Sequence, residues 1–141
     1  MLKKNILIYG ATGSIGESTL NLIRNHREKF NVVGLTCNKN IQKIIDLSIE
    51  FDCKNIGIGN LKLTNKNKSV LSSYKIYEGI DEFYSLVIEN DVDIIIFAIS
   101  GTSPLNLLMQ LALSGKTIGL ANKECIICLG KLFLDKAIKP N

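Results

Sequence analysis

Residues 10–16 read Gly10-Ala11-Thr12-Gly13-Ser14-Ile15-Gly16. They follow Lys4 to Tyr9, a short apolar run with β-branched residues, which predicts a strand. From Ile15 to about Arg27 the apolar residues recur at helical spacing, and those expected near one face are Ile15, Leu20, Leu22 and Ile23. The three glycines are therefore predicted to lie in a tight turn between a strand and a helix.

This placement gives each glycine a physical role. Gly10 would allow the sharp turn, Gly13 would let the backbone approach a pyrophosphate without a Cβ in the way, and Gly16 would let the helix pack closely on the sheet. The free N–H groups and positive dipole end of the helix would face the phosphates. The hydroxyls of Thr12 and Ser14 could donate to phosphate oxygens, although Ser14 could simply cap the helix. The pattern favours a dinucleotide site over a purely structural turn.

The rest of the chain repeats the alternation of strand and helix. Further strands are predicted at Asn31–Cys37, Asn55–Ile58, Tyr74–Tyr77, Asp93–Ile99 and Lys116–Leu120. Further helices are predicted at Ile41–Phe51, Asp81–Glu89, Pro104 to Gly115 and Cys125–Ile138, while residues 60–73 are expected to be a loop with a ragged helical turn at most. Right-handed crossovers between such units predict an α/β fold, a Rossmann-like open parallel sheet with helices on both faces, in one domain of residues 1–141.

Composition argues against two classes of partner. The chain has 141 residues and a formal charge of +4, but its lysines are scattered and make no basic patch, so no nucleic-acid partner is expected. No apolar run approaches the ~20 residues of a membrane span, and no targeting segment is evident. We expect a cytoplasmic protein with no membrane partner.

The segment after the second strand indicates which nicotinamide cofactor fits. An NAD enzyme normally offers Asp or Glu there to the ribose hydroxyls. This chain has Asn38-Lys39-Asn40, and the first acid nearby in sequence is Asp46, inside the next predicted helix. One cation and two amides suit the 2′-phosphate of NADPH. A solvated lysine in a loop is the alternative.

Four segments together resemble the 1-deoxy-D-xylulose 5-phosphate reductoisomerase family, and the resemblance covers essentially the whole chain. They are Gly10 to Gly16, Ser18-Thr19-Leu20, Asn38-Lys39-Asn40 and Leu120-Ala121-Asn122-Lys123-Glu124, of which the last is the most specific. The resemblance implies that Thr12, Gly13, Ser14 and Ile15 hold the NADPH phosphates, and that Asn38, Lys39 and Asn40 surround the 2′-phosphate. It also implies that Asn122 and Glu124 contact the cofactor near its reactive end and that Lys123 reaches a sugar-phosphate substrate.

The resemblance further implies an oxidoreductase of isoprenoid biosynthesis. Such enzymes convert 1-deoxy-D-xylulose 5-phosphate to 2-C-methyl-D-erythritol 4-phosphate with NADPH and Mg²⁺ or Mn²⁺, as homodimers. Their catalytic and C-terminal domains, with an Asp-Ser-Glu metal site, would follow Asn141. We therefore expect no catalytic residue and no metal ligand within this chain, and no turnover by it alone. The segment Gly101-Thr102-Ser103-Pro104 departs from the small-residue turn of the family, and Pro104 lacks a backbone donor near the nicotinamide end.

Two alternatives stay open. The chain could belong to another two-domain NADPH reductase, which would differ after the last predicted strand. It could instead be a non-enzymatic nucleotide-binding or redox-sensing module in which Cys125 and Cys128 form a dithiol with lowered pKa. A short-chain dehydrogenase is disfavoured, because no Lys stands four residues after Tyr74, Tyr77 or Tyr84.

Overall fold

The structure is a computed structural model that describes residues 1–62, 64–128 and 130. The described residues form six strands and five α-helices in alternation, with a 3₁₀ turn at Ile80–Glu82 and a further helical stretch at residues 123–128. In chain order the elements are β1 Lys4–Tyr9, α1 Ser14–Arg24, β2 Phe30–Cys37, α2 Ile41–Glu50, β3 Asn55–Ile58, α3 Asn65–Leu71, β4 Lys75–Glu78, α4 Ser85–Glu89, β5 Ile94–Phe97, α5 Leu105–Ala112 and β6 Thr117–Leu120.

The six strands form one parallel sheet in the order β4-β3-β2-β1-β5-β6. The chain builds outward from β1 to β4 and then returns to place β5 on the other side of β1. In open α/β sheets, ligands bind outside the carboxyl ends of the strands where the order reverses in this way. The sequence prediction of an open parallel α/β sheet is confirmed. Because the strand order reverses between β1 and β5, a ligand site is expected at the carboxyl ends of these two strands.

Both faces of the sheet are covered, as successive side chains of β1 make clear. Ile6 and Ile8 pack into a cluster with α1 and α2, whereas Leu7 and Tyr9 pack into a second cluster with α4 and α5. Strand side chains alternate between faces, so a strand covered on both sides needs apolar residues at every position. The unbroken apolar runs of β1 and β5 follow from this burial.

The first helix buries a narrower stripe than the sequence predicted. It ends at Arg24 rather than near Arg27, and its buried residues are Gly16, Leu20 and Ile23. Ile15 and Leu22 are 47% and 56% exposed, so their predicted place on the buried face is wrong. The spacing i, i+4, i+7 from Gly16 is the stripe that a helix turns toward a sheet, and the other two residues lie one position away from it.

Three local predictions also need correction. Residues 60–73 contain the regular helix α3, whose N-cap Thr64 accepts a hydrogen bond from the N–H of Asn67. The helix predicted at Asp81–Glu89 is divided into the 3₁₀ turn and the short α4. Residues 123 and 124 begin a helix instead of ending a loop, and much of the helix predicted to reach Ile138 lies outside the described residues.

Candidate cofactor-binding site

The glycine-rich turn needs two of its glycines for steric reasons. Gly10 has φ of +81°, and a Cβ there would lie 2.6 Å from the carbonyl oxygen of Ala98. A Cβ on Gly16 would lie 2.3 Å from the carbonyl oxygen of Gly10. Gly16 thus lets α1 pack directly on the backbone of the turn, rather than on the sheet as predicted.

Gly13 is different, because the fold itself has room for a side chain there. Its backbone is extended, and a Cβ would meet only the carbonyl oxygen of Gly10, at an ordinary 3.6 Å. It is the N-cap of α1 and offers no side-chain acceptor, and the first helical bond runs from the Glu17 N–H to its carbonyl oxygen at 2.9 Å. The N–H groups of residues 14–16 therefore lack intrahelical acceptors and are available to an anion. Ser14 is not the cap, so the capping explanation for it is wrong.

Thr36 holds the turn from behind. This buried residue near the end of β2 accepts a hydrogen bond from the Gly10 N–H through its hydroxyl, at 2.9 Å, and one from the Ala11 N–H through its carbonyl oxygen, at 2.8 Å. Sequence reasoning missed this residue. Its only sequence signal is a hydroxyl within an apolar strand.

Lys43, in the first turn of α2, was also missed. Its ammonium group donates to the Thr12 carbonyl oxygen at 3.2 Å and pairs with the Glu17 carboxylate at 3.2 Å. Its backbone N–H donates to the Asn40 side chain, which caps α2. Lys43 therefore connects the turn, α1 and the start of α2, which no local motif could indicate.

The carboxyl ends of β1, β2 and β5 border a cleft of about 400 Å³. Among its lining residues are Thr12 and Gly13 from the turn and Asn38 from the segment after β2. Lys39 and Asn40 follow and are exposed. The structure thus brings the glycine-rich turn and the start of the Asn38-Lys39-Asn40 segment to one cleft.

A second cleft of about 550 Å³ shares Gly13 with the first. It extends from the start of α1 to the end of β6, and its lining includes Ser14, Ile15, Asn122, Lys123 and Glu124. These five predicted cofactor and substrate residues therefore lie together, whereas Lys39 and Asn40 line neither cleft. Ile15, which was expected on the buried face of α1, is exposed because it lies at the surface of this cleft.

The Asn122 side chain, which lines the second cleft, has a hydrogen-bond partner for both its nitrogen and its oxygen. It is 2% exposed, and its amide nitrogen donates to the carbonyl oxygens of Ile99 at 2.6 Å and Gly101 at 2.8 Å. Its amide oxygen accepts from the Cys125 N–H at 2.8 Å and so caps the helix at residues 123–128. Asn122 joins the loop after β5 to the end of β6, and its contact with a cofactor stays a prediction.

Cys125 does not have the lowered pKa that the redox alternative assigns to it. It is buried, and burial, together with Cys128 and Glu124 nearby, raises the pKa of its thiol. The structure therefore does not support a reactive thiol at Cys125. Cys128 is exposed.

The described residues contain neither a cluster of metal-binding side chains nor a membrane-spanning helix. In residues 1–62, 64–128 and 130, no group of three or more His, Cys, Asp or Glu side chains is arranged to hold a metal ion. None of the helices in this same part of the chain has the length and apolar character needed to span a membrane.

Comparison with known proteins identifies close relatives of the chain. The family model for 1-deoxy-D-xylulose 5-phosphate reductoisomerase matches residues 6–130. The reductoisomerase of Nitrobacter winogradskyi is 34% identical over 139 residues, which are 96% of this chain and 34% of that protein. This chain thus spans about a third of the length of the curated relatives it matches.

Solved structures of reductoisomerases have the same fold as this chain over the part that aligns. The reductoisomerase from Zymomonas mobilis in complex with NADPH aligns with a TM-score of 0.85 and 31% identity, over 96% of this chain and 36% of that one. A reductoisomerase in complex with NADPH, fosmidomycin and magnesium aligns with a TM-score of 0.80 and 31% identity, over 95% and 34%. From the glycine-rich turn to the capped segment after β6, the chain belongs to the 1-deoxy-D-xylulose 5-phosphate reductoisomerase family.

Proposed function

We propose that this chain is the NADPH-binding part of an enzyme that converts 1-deoxy-D-xylulose 5-phosphate to 2-C-methyl-D-erythritol 4-phosphate. The observation that carries the proposal is the first cleft, where Thr12 and Gly13 lie with Asn38. One ligand with phosphates at two places can contact both segments. Two relatives of known structure are complexes with NADPH, which carries a pyrophosphate and a separate 2′-phosphate.

The residues present fit such a ligand. The free N–H groups at the start of α1, with the hydroxyls of Thr12 and Ser14, would hold the pyrophosphate, and Ile15 would flank it. Asn38, Lys39 and Asn40 would surround the 2′-phosphate. Lys39 is exposed and forms no ion pair with any residue in the described part of the chain, so its charge is available.

The second cleft would hold the reactive end of the cofactor, which supplies the hydride when bound. Asn122 fixes the end of β6 against the loop after β5, and that bond network sets where the first turn of the next helix begins. Glu124 in that turn would contact the cofactor. Lys123 is exposed beside it and would attract the phosphate of the sugar substrate.

Substrate, metal and assembly are proposed for the whole protein. They are the sugar phosphate, Mg²⁺ or Mn²⁺, a homodimer and a cytoplasmic location, and membership of a family that has a structure with fosmidomycin and magnesium supports the first two. Residues 1–141 would supply the cofactor site alone. We therefore expect no turnover from this polypeptide with NADPH, substrate and Mg²⁺.

Calorimetric titration of the chain with NADPH and with NADH tests the proposal. We expect NADPH to bind at least about tenfold more tightly, or about 1.4 kcal/mol. Lys39→Met should remove most of this preference, whereas Lys29→Met, which removes the same charge just before β2 begins, should not. Equal affinities, or a preference for NADH, would refute the assignment of the 2′-phosphate.

A further inference from the structure

Lys43 contacts the glycine-rich turn beside the first cleft instead of extending fully into solvent. Its side chain is only 34% exposed, and its ammonium group contacts the Thr12 carbonyl oxygen and the Glu17 carboxylate, each at 3.2 Å. Thr12 lines the first cleft. A second cation therefore contacts the turn, and it comes from the helix that begins directly after the Asn38-Lys39-Asn40 segment.

Glu17 gives this cation a particular importance. The sequence suggested that Asp46 is the acid nearest to the end of β2, but Glu17 comes close through the fold, since it pairs with a residue in the first turn of α2. Asp46 is exposed and accepts a hydrogen bond from Gln42 on its own helix. With no cation beside it, the Glu17 carboxylate would repel a 2′-phosphate bound beside the start of α2.

We propose that Lys43 is a specificity-determining residue for NADPH, one that pairs with Glu17 in the free protein and exchanges this partner for the 2′-phosphate when NADPH binds. The inference rests on the proposed function, because it takes the first cleft to be the site of a 2′-phosphorylated dinucleotide. An exposed ion pair contributes little, so exchanging one carboxylate for a more highly charged phosphate costs little. Charge-assisted bonds to phosphate are the stronger interaction.

A purely structural role for Lys43 predicts a different outcome. If the ammonium group only tethers the Thr12 carbonyl, its removal would disturb the turn that holds the pyrophosphate. Both dinucleotides carry that pyrophosphate, so both would lose affinity to the same extent. The ratio of the NADPH and NADH affinities therefore separates a specificity residue from a tether.

The experiment is a calorimetric titration of NADPH, NADH, adenosine 2′,5′-bisphosphate and AMP into the 141-residue chain and its variants. Lys43→Met should weaken NADPH and the bisphosphate at least about tenfold, and NADH and AMP less than about twofold. Lys43→Arg should keep the preference, since it keeps the charge. Glu17→Gln should strengthen NADPH and the bisphosphate about two- to fivefold and leave NADH unchanged. Lys29→Met is the matched control, and thermal melts establish that each variant folds.

Two results would overturn the inference. One is equal weakening of NADPH and NADH in Lys43→Met; the other is a Glu17→Gln variant that binds NADPH no better than the original chain. Either could occur while the original chain still prefers NADPH, and the proposed function would then stand. A chain with no preference for NADPH would refute both proposals, and it would be recognised before any variant is made.

Discussion

The two ends of the candidate site are built in opposite ways. At the glycine-rich turn, Gly13 and the start of α1 leave backbone N–H groups free, and Thr36 supports the turn from behind. At the end of β6, the Asn122 amide satisfies its donors and acceptor within the protein. The first end keeps its hydrogen-bonding capacity for a ligand, and the second uses it to hold two loops together.

Because of this difference, substitutions at one end should change ligand affinity and substitutions at the other should change the free energy of unfolding. Changes at Gly13 should affect the ligand and spare the fold, whereas changes at Asn122 should affect the fold first. Each prediction below tests one side of this division, and they are arranged from the largest expected effect to the smallest.

Gly13→Val should lower the affinity for NADPH at least about a hundredfold, or about 2.7 kcal/mol, because the branched side chain would occupy the space in front of the free N–H groups. Since the fold has room at this position, the free energy of unfolding should change by less than about 1 kcal/mol. Calorimetry measures the first quantity and urea denaturation the second. Ser69→Val, at an exposed position of α3, is the control. Unimpaired binding by a folded variant would mean that the turn is structural.

Asn122→Ala should lower the free energy of unfolding by about 2 kcal/mol, because three hydrogen bonds are lost and two carbonyl oxygens lose a donor. Urea denaturation measures this, with Asn106→Ala on the exposed side of α5 as the control. Binding of adenosine 2′,5′-bisphosphate should stay within about twofold, since that ligand reaches only the first cleft. A stable variant that no longer binds the bisphosphate would reverse the assigned roles.

Thr36→Val should lower the free energy of unfolding by about 1 kcal/mol, because the Gly10 N–H loses its acceptor while the shape of the side chain is kept. The loosened turn should bind NADPH about two- to fivefold more weakly. Thr117→Val, at the exposed start of β6, gives the baseline for a Thr-to-Val change. If both variants behaved alike, the Thr36 hydroxyl would have no part in shaping the turn.

The smallest effect concerns pH. Burial raises the pKa of the Cys37 thiol, at the border of the first cleft, from its ordinary 9.0 to about 11. A raised pKa means that the folded state favours the neutral thiol, so its contribution is complete below pH 9 and is lost as the pH rises toward 11. Between pH 8 and 9.5 we expect a loss of about 0.5–1 kcal/mol in the free energy of unfolding.

Urea denaturation at the two pH values measures this loss. The variant Cys37→Ala should show a correspondingly smaller decrease over the same range. An identical decrease in both proteins would show that other groups account for the dependence on pH.

The sequence predicted the fold well where the apolar periodicity and the residues that end a strand or helix indicate the same boundaries. The bounds of β1, the turn after it and the open parallel sheet follow from apolar runs stopped by glycine, whereas the strand order was not predicted. Periodicity did not distinguish Ile15 and Leu22 from the truly buried stripe, since a shift of one residue rotates a helix face by 100° or so. The polar segment that forms α3 lacked any apolar pattern, and its helix depends on the Thr64 cap and burial of Leu71.

Residues that belong to local motifs were easier to place at the first cleft than residues that join distant segments of the chain. Thr12, Gly13 and Asn38 belong to motifs with a recognisable place after a strand. Thr36 and Lys43 act through contacts between segments 26 and 31 residues apart, and such contacts depend on strand pairing and helix placement. The role of Asn122 in joining two segments could not be predicted for the same reason, because its amide nitrogen donates to carbonyl oxygens of the loop after β5.

The reversal of strand order also has a consequence for synthesis of the chain. As the polypeptide leaves the ribosome, β1 to β4 can pair in the order in which they emerge, but the free edge of β1 must wait for β5. The Asn5 N–H, for example, bonds to the Asp93 carboxylate across a separation of 88 residues. Until then, the face of β1 that carries Leu7 and Tyr9 lacks the covering of α5. The nascent chain would therefore expose an apolar strand edge until β5 has emerged, and the first cleft would form only after that step.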